Sequence, residues 1–94
     1  MEQQNNTAKT TGNSISTYVN KIPTGYSVGN YQGKKYGISK TIFNKGKSVK
    51  LYGEELGGNN FVSLNYYLTT TKELLKPCEM PAQKVVHFLK NVQL

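Results

Sequence analysis

Cys78 and His87 are the one thiol and the one imidazole in the sequence. A thiol beside a base is the simplest catalytic pair the chain could offer. Nothing in their spacing supports that pairing, and a lone cysteine more often serves as a small buried hydrophobe. No aspartate occurs, so no Asp-containing triad and no Asp metal site is available. Glu54 and Glu55 are adjacent. On a strand such neighbours point to opposite faces, so they share no proton as a catalytic dyad. A single thiol closes no intrachain disulfide and builds no thiolate metal site. Gly33-Lys34-Lys35 and Gly46-Lys47-Ser48 faintly resemble phosphate loops. Both lack the full Gly-x4-Gly-Lys-Ser/Thr pattern and neither leads into a helix, so they read as hairpin turns with solvated lysines. The expectation is a protein that is not an enzyme, with no cofactor and no metal.

Charge carries more information. Between Gln3 and Gly53 there is no acidic residue, and there are eight lysines: Lys9, Lys21, Lys34, Lys35, Lys40, Lys45, Lys47 and Lys50. The formal net charge of the 94-residue chain is +7. Folded surfaces normally intersperse the two signs, so a one-signed half-chain points to a polyanionic partner, of which nucleic acid is the commonest. A compositional bias toward Lys, Asn, Ile and Tyr, with no Arg or Trp, is the competing explanation. Single-stranded nucleic acid is bound without sequence preference by cations along the backbone and flat rings for stacking. Phe43, Tyr52, Phe61 and Tyr67 are the candidate rings. Lys35, Lys45, Lys47 and Lys50 are the candidate phosphate contacts, and Asn65 the candidate hydrogen-bonder to a base or sugar edge. The absence of Arg argues against specific duplex readout, where guanine is usually held by Arg. Taken singly, each residue has a plain structural explanation: tyrosines pack across strands and lysines guard sheet edges. Their coincidence on one face favours binding.

The elements that must position these residues follow from periodicity. Residues 1–17 are almost all Gln, Asn, Thr, Ser and Gly. They bury too little apolar surface to offset ordering entropy and read as a disordered polar arm ahead of a single small domain over 18–94. Residues 18–33 are punctuated by Pro23, Gly25, Gly29 and Gly33 and read as an irregular lead-in or one extra edge strand. Period-two runs over Lys35–Phe43, Ser48–Tyr52 and Phe61–Leu68 predict strands. Asn44-Lys45-Gly46 makes a hairpin loop, with Gly46 at positive φ. A further short strand is expected near Glu73–Lys76, although Thr70-Thr71-Lys72-Glu73 also matches a helical capping box. Pro81 suits the first position of a C-terminal helix, in which Val85, Phe88, Leu89 and Val92 form an apolar stripe. Val86 lies off the stripe and is the expected contact with a second copy.

The expected architecture is α+β: a three- to five-stranded antiparallel sheet with one C-terminal amphipathic helix packed on one face. Ile38, Ile42, Val49, Leu51, Val62, Leu64, Tyr66 and Leu68 are in phase and should meet the helix. The opposite phase carries Lys35, Ser39, Thr41, Phe43, Ser48, Lys50, Tyr52, Phe61, Ser63, Asn65 and Tyr67. A one-residue register slip would exchange the two faces.

This order of elements resembles the single-stranded-DNA-binding family of positive cofactor four and its Whirly relatives. The resemblance rests on the Lys-rich hairpin Lys40–Tyr52 and on the strand-to-helix stretch Leu74–Lys90, and covers residues 34–92. It implies that the hairpin's basic and aromatic residues touch DNA and that the helix mediates dimerisation. The family's Arg and Trp positions have no counterpart here.

The sequence thus points to non-sequence-specific binding of single-stranded DNA or RNA, in support of transcription or replication, by a homodimer. The alternative is a protein-interaction module, a small accessory or inhibitor protein with an acidic protein partner. With no charged-then-apolar leader and no apolar run of membrane-spanning length, the expected location is the cytoplasm or nucleoid.

Overall fold

The structure, a computed structural model, describes residues 15–94. Most of the expected polar arm, residues 1–14, lies outside the described residues. A short helix, α1 (Ile15–Asn20), starts inside the stretch read as arm. Its apolar side chains explain why: Ile15, Tyr18 and Val19 fall at helical spacing, Val19 is fully buried, and the other two pack against the core. Five strands follow: β1 (Gly25–Tyr31), β2 (Lys34–Phe43), β3 (Ser48–Glu55), β4 (Phe61–Leu68) and β5 (Glu73–Pro77). They form one antiparallel sheet in sequence order, β1-β2-β3-β4-β5, so every strand pairs with its neighbour in the chain. The C-terminal helix, α2 (Ala82–Asn91), packs against the sheet. The chain is therefore α+β, as expected.

The strand phase is the expected one. Ile38, Val49, Leu51, Val62, Leu64 and Tyr66 are buried against Val85, Phe88, Leu89 and Val92 of the C-terminal segment. Phe88 reaches closest at Gly53, where an added Cβ would stand 3.1 Å from the ring. Only a glycine leaves that much room. Two members of the expected core set depart from it: Ile42 and Leu68 are 42% and 45% exposed. Both lie toward the β2–β3 turn, past the cover that the helices provide. The same face buries a residue whose charge would favour solvent. Lys40 is 5% exposed, and its ammonium donates to the carbonyls of Val19 at 2.8 Å and Ile22 at 2.7 Å.

Those contacts explain how so short a helix persists. The ends of a helix carry opposite partial charges and unpaired backbone groups. At the N-terminal end of α1, the Ser16 amide donates to the Glu73 carboxylate at 3.1 Å. At the C-terminal end, Lys40 caps the carbonyls. Each charge has the sign its helix end favours, and both come from the sheet.

The connections differ from expectation in detail. In the β2–β3 turn, Asn44 and Lys45 join Gly46 at positive φ, at 53°, 58° and 92°. The Thr70–Glu73 capping box does not form. Instead the Thr69 hydroxyl accepts from the Thr71 and Lys72 amides, a local turn that Thr makes readily, and β5 begins at Glu73. Pro81 stands one position ahead of the helix, with extended φ and ψ of −66° and 146°.

Candidate nucleic-acid interface

The helices cover one face of the sheet, and the opposite face carries the side chains read above as the binding set. Backbone register places them in cross-strand rows. Phe43 faces Ser48, which faces Tyr67, which faces Leu74. Thr41, Lys50, Asn65 and Lys76 form the next row. Tyr26, Ser39, Tyr52 and Ser63 form the one after, and Val28, Gly37, Glu54 and Phe61 the one beyond it. Lys35, opposite Asn30, closes the series. Alternation of side chains along each strand is what sends these residues outward.

The rings are not isolated. Tyr52 and Phe61 lie with centroids 6.1 Å apart and planes tilted by 32°, within the distance range of interacting aromatic pairs. Both are partly exposed. The β5 register ends at Leu64, with one further bond from the Cys78 amide to the Ser63 carbonyl at 2.9 Å, which leaves the start of β4 at Phe61 as an open edge. Lys84 of α2 reaches the Phe61 ring there, its ammonium 5.6 Å from the centroid. Tyr26 is 65% exposed, yet its ring lies down on the sheet: a Cβ at Gly37 would collide with the Tyr26 hydroxyl and stand 3.1 Å from the ring carbon that bears it. A tyrosine resting on a glycine presents a flat platform. Asn65 donates to the Cys78 sulfur at 3.7 Å, which orients its amide and leaves Cys78 half-buried.

The cations divide between the two ends of the face. Lys45 and Lys47 stand in or beside the β2–β3 turn, next to the Phe43 row, and Lys50 and Lys76 follow one row in. All four are exposed. Lys35 is not part of this group. It lies eight residues from Phe43 along β2, about 27 Å at the usual strand rise, near the β3–β4 end. There Lys34 pairs with Glu55 at 3.4 Å. The proposed set is therefore brought together for Phe43, Lys45, Lys47, Lys50, Asn65 and Tyr67 at one end, with Tyr52 and Phe61 toward the other, and is not brought together for Lys35. Tyr26, Lys76 and Glu54 share the face and were missed in the sequence. The phase of β1 and β5 would have revealed the first two, but Gly- and Pro-punctuation obscured it.

The remaining candidates lie elsewhere. Val86 is half-buried and lines a shallow depression of about 390 Å³ on the outer side of α2, with Ala82, Gln83, His87, Lys90 and Asn91. His87 does not meet Cys78. Its Nδ1 and the Tyr31 hydroxyl share a hydrogen bond at 2.5 Å, and burial, with Tyr36 nearby, pushes the Tyr31 hydroxyl pKa up. No group of three or more His, Cys, Asp or Glu gathers among the described residues in a way that could hold a metal ion, and no helix among them is long and apolar enough to cross a membrane. Compared with protein-family models, with curated proteins and with solved structures, the chain finds no match.

Proposed function

We propose that the helix-free face of the sheet binds single-stranded nucleic acid, with its rings stacking on bases and its turn-end lysines neutralising phosphates. The observation that carries this reading is the joint presentation of stacking rings and exposed lysines on one face. The Tyr52–Phe61 pair lies next to the Lys50–Asn65–Lys76 row, with Lys45 and Lys47 beyond it. A flat sheet face accepts a flexible strand with splayed bases, whereas a duplex keeps its bases stacked inside. Electrophoretic shift series over single-stranded DNA, single-stranded RNA and duplex of equal length test the reading. Single strands are expected to shift at lower protein concentration than duplex. Failure of every nucleic acid to bind at low salt defeats it.

The uncovered apolar side chains at the turn end favour a second reading, a protein-interaction surface. Ile42, Phe43 and Leu68 are each more than 40% exposed there, beside the lysines, and suit an acidic partner with an apolar anchor. Substituting Ile42 and Leu68, which face away from the proposed strand path, separates the two: nucleic-acid binding is expected to survive Ile42→Ser and Leu68→Ser together.

A further inference from the structure

Glu54 is an anomaly on the cationic face. It is exposed and belongs to β3, the central strand of the five, so it does not serve as an edge guard against strand pairing. Glu55 is held by Lys34, and Glu73 by Tyr66 and Ser16. Among the described residues no hydrogen bond or ion pair engages the Glu54 carboxylate. A free carboxylate repels a phosphate backbone. Its row also sets it apart: Gly37, on which the Tyr26 ring rests, is its register partner on one side, and Phe61, in tilted ring contact with Tyr52, on the other. Along its own strand the nearest lysine is Lys50, four residues or about 13 Å away. On the neighbouring elements Lys35 stands one row beyond it, two residues from Gly37, and Lys84 reaches the ring of its register partner Phe61, yet neither pairs with the carboxylate. The carboxylate therefore stands between two ring contacts, where bases would lie, and two rows or more from the turn-end lysines Lys45, Lys47, Lys50 and Lys76 that phosphates would follow.

Resting on the nucleic-acid reading above, we propose that Glu54 makes this face prefer guanine. An ionised carboxylate only accepts hydrogen bonds, through two oxygens side by side. A stacked base on a single strand shows its Watson–Crick edge. Guanine offers two adjacent donors there, the ring N1–H and the 2-amino group, which match the two oxygens. Cytosine and adenine each place one amino donor beside a ring-nitrogen acceptor, which faces the second oxygen with a lone pair. Thymine and uracil flank a single N–H with two carbonyls. Of the common bases, guanine alone satisfies both carboxylate oxygens without a repulsive contact. Tyr26 and the Tyr52–Phe61 pair hold the base plane, and Glu54 reads its edge.

The test is fluorescence anisotropy with the full chain and a labelled thymidine 12-mer, compared with the same 12-mer carrying two separated dG guests. Inosine, adenine and cytosine guests complete the series, and a uridine 12-mer with guanosine guests shows whether the RNA form behaves alike. The dG guests are expected to tighten binding by about tenfold, the usual scale for a bidentate base contact. Inosine, which lacks the 2-amino group, should lose most of that gain. Glu54→Gln keeps the side chain's shape, so it should abolish the dG preference while binding of the thymidine 12-mer stays equal or tightens with the lost negative charge. Equal affinity for dG and dT guests, or a dG preference that persists in Glu54→Gln, overturns the proposal and leaves the nucleic-acid reading standing. Failure of every oligonucleotide to bind overturns both.

Discussion

Lys40 occupies a core-facing position on β2, and its ammonium is satisfied by carbonyls. Burial lowers its pKa from the ordinary 10.5, so the unfolded chain holds this proton more tightly than the folded one. Its contribution to stability therefore rises with pH, through the window between the lowered folded value and 10.5. Lys40→Met leaves the Ile22 carbonyl without this donor, and a buried group orphaned in this way costs about 1–3 kcal/mol. Chemical denaturation should show that loss at neutral pH, and the gap to wild type should widen as pH approaches 10.5. Tyr66 behaves with the opposite sign. Its hydroxyl donates to Glu73 at 2.9 Å, and burial together with that bond raises its pKa to about 12. This stabilisation is complete below the unfolded tyrosine value near 10 and is lost as pH rises through about 12. Tyr66→Phe should destabilise by about 1.5–3 kcal/mol, the range for a hydrogen bond to a charged group. The difference from wild type should shrink across the same window in denaturant titrations.

At the scale of elements, α2 supplies three fully buried side chains, Val85, Phe88 and Leu89, to the core. Phe88 packs edge-on or tilted against Tyr31 and Tyr36. Phe88→Ala and Leu89→Ala should each destabilise by about 2–5 kcal/mol, a large share of the roughly 5–15 kcal/mol that holds a domain of this kind together. Unchanged thermal midpoints would contradict the buried stripe. This helix was legible in the sequence because four apolar residues at helical spacing leave little choice of face. The phase of β2, β3 and β4 was legible because Ile38, Leu51, Val62 and Leu64 alternate cleanly with polar residues. The short helix α1 was not, because Ile15, Tyr18 and Val19 are a weak signal in so short and polar a stretch, and the contacts that cap it are distant in sequence: Glu73 reaches one end and Lys40 the other. The burial of Lys40 was hidden for the same reason, since a lysine has no local signature of a carbonyl partner. Tyr26 was missed because its role depends on Gly37 across the β1–β2 pair, a contact set by register.

For the molecule as a whole, four of the twelve lysines, Lys45, Lys47, Lys50 and Lys76, stand with Phe43, Tyr52, Phe61 and Tyr67 on or beside the face that the helices leave bare. Val86, on the outer side of α2, remains the proposed contact with a second copy, which would present two such faces to one strand. Sedimentation of the wild type and Val86→Glu should show association that the substitution weakens, and a wild type that stays monomeric at high micromolar concentration would contradict it. The central claim is a division of labour, in which lysines supply the ionic part of affinity and rings the stacking part. A salt series of anisotropy titrations on a thymidine 12-mer tests it most directly, with wild type, Tyr52→Ala and Lys50→Gln measured side by side. If about five phosphates are neutralised, log K should fall against log salt with a slope of about −3.5. Tyr52→Ala should lose about 1–3 kcal/mol of affinity at every salt concentration with the slope unchanged, and Lys50→Gln should make the slope shallower by about 0.7. A wild type with no salt-dependent affinity, or a Tyr52→Ala protein that binds as tightly as wild type, would contradict the account.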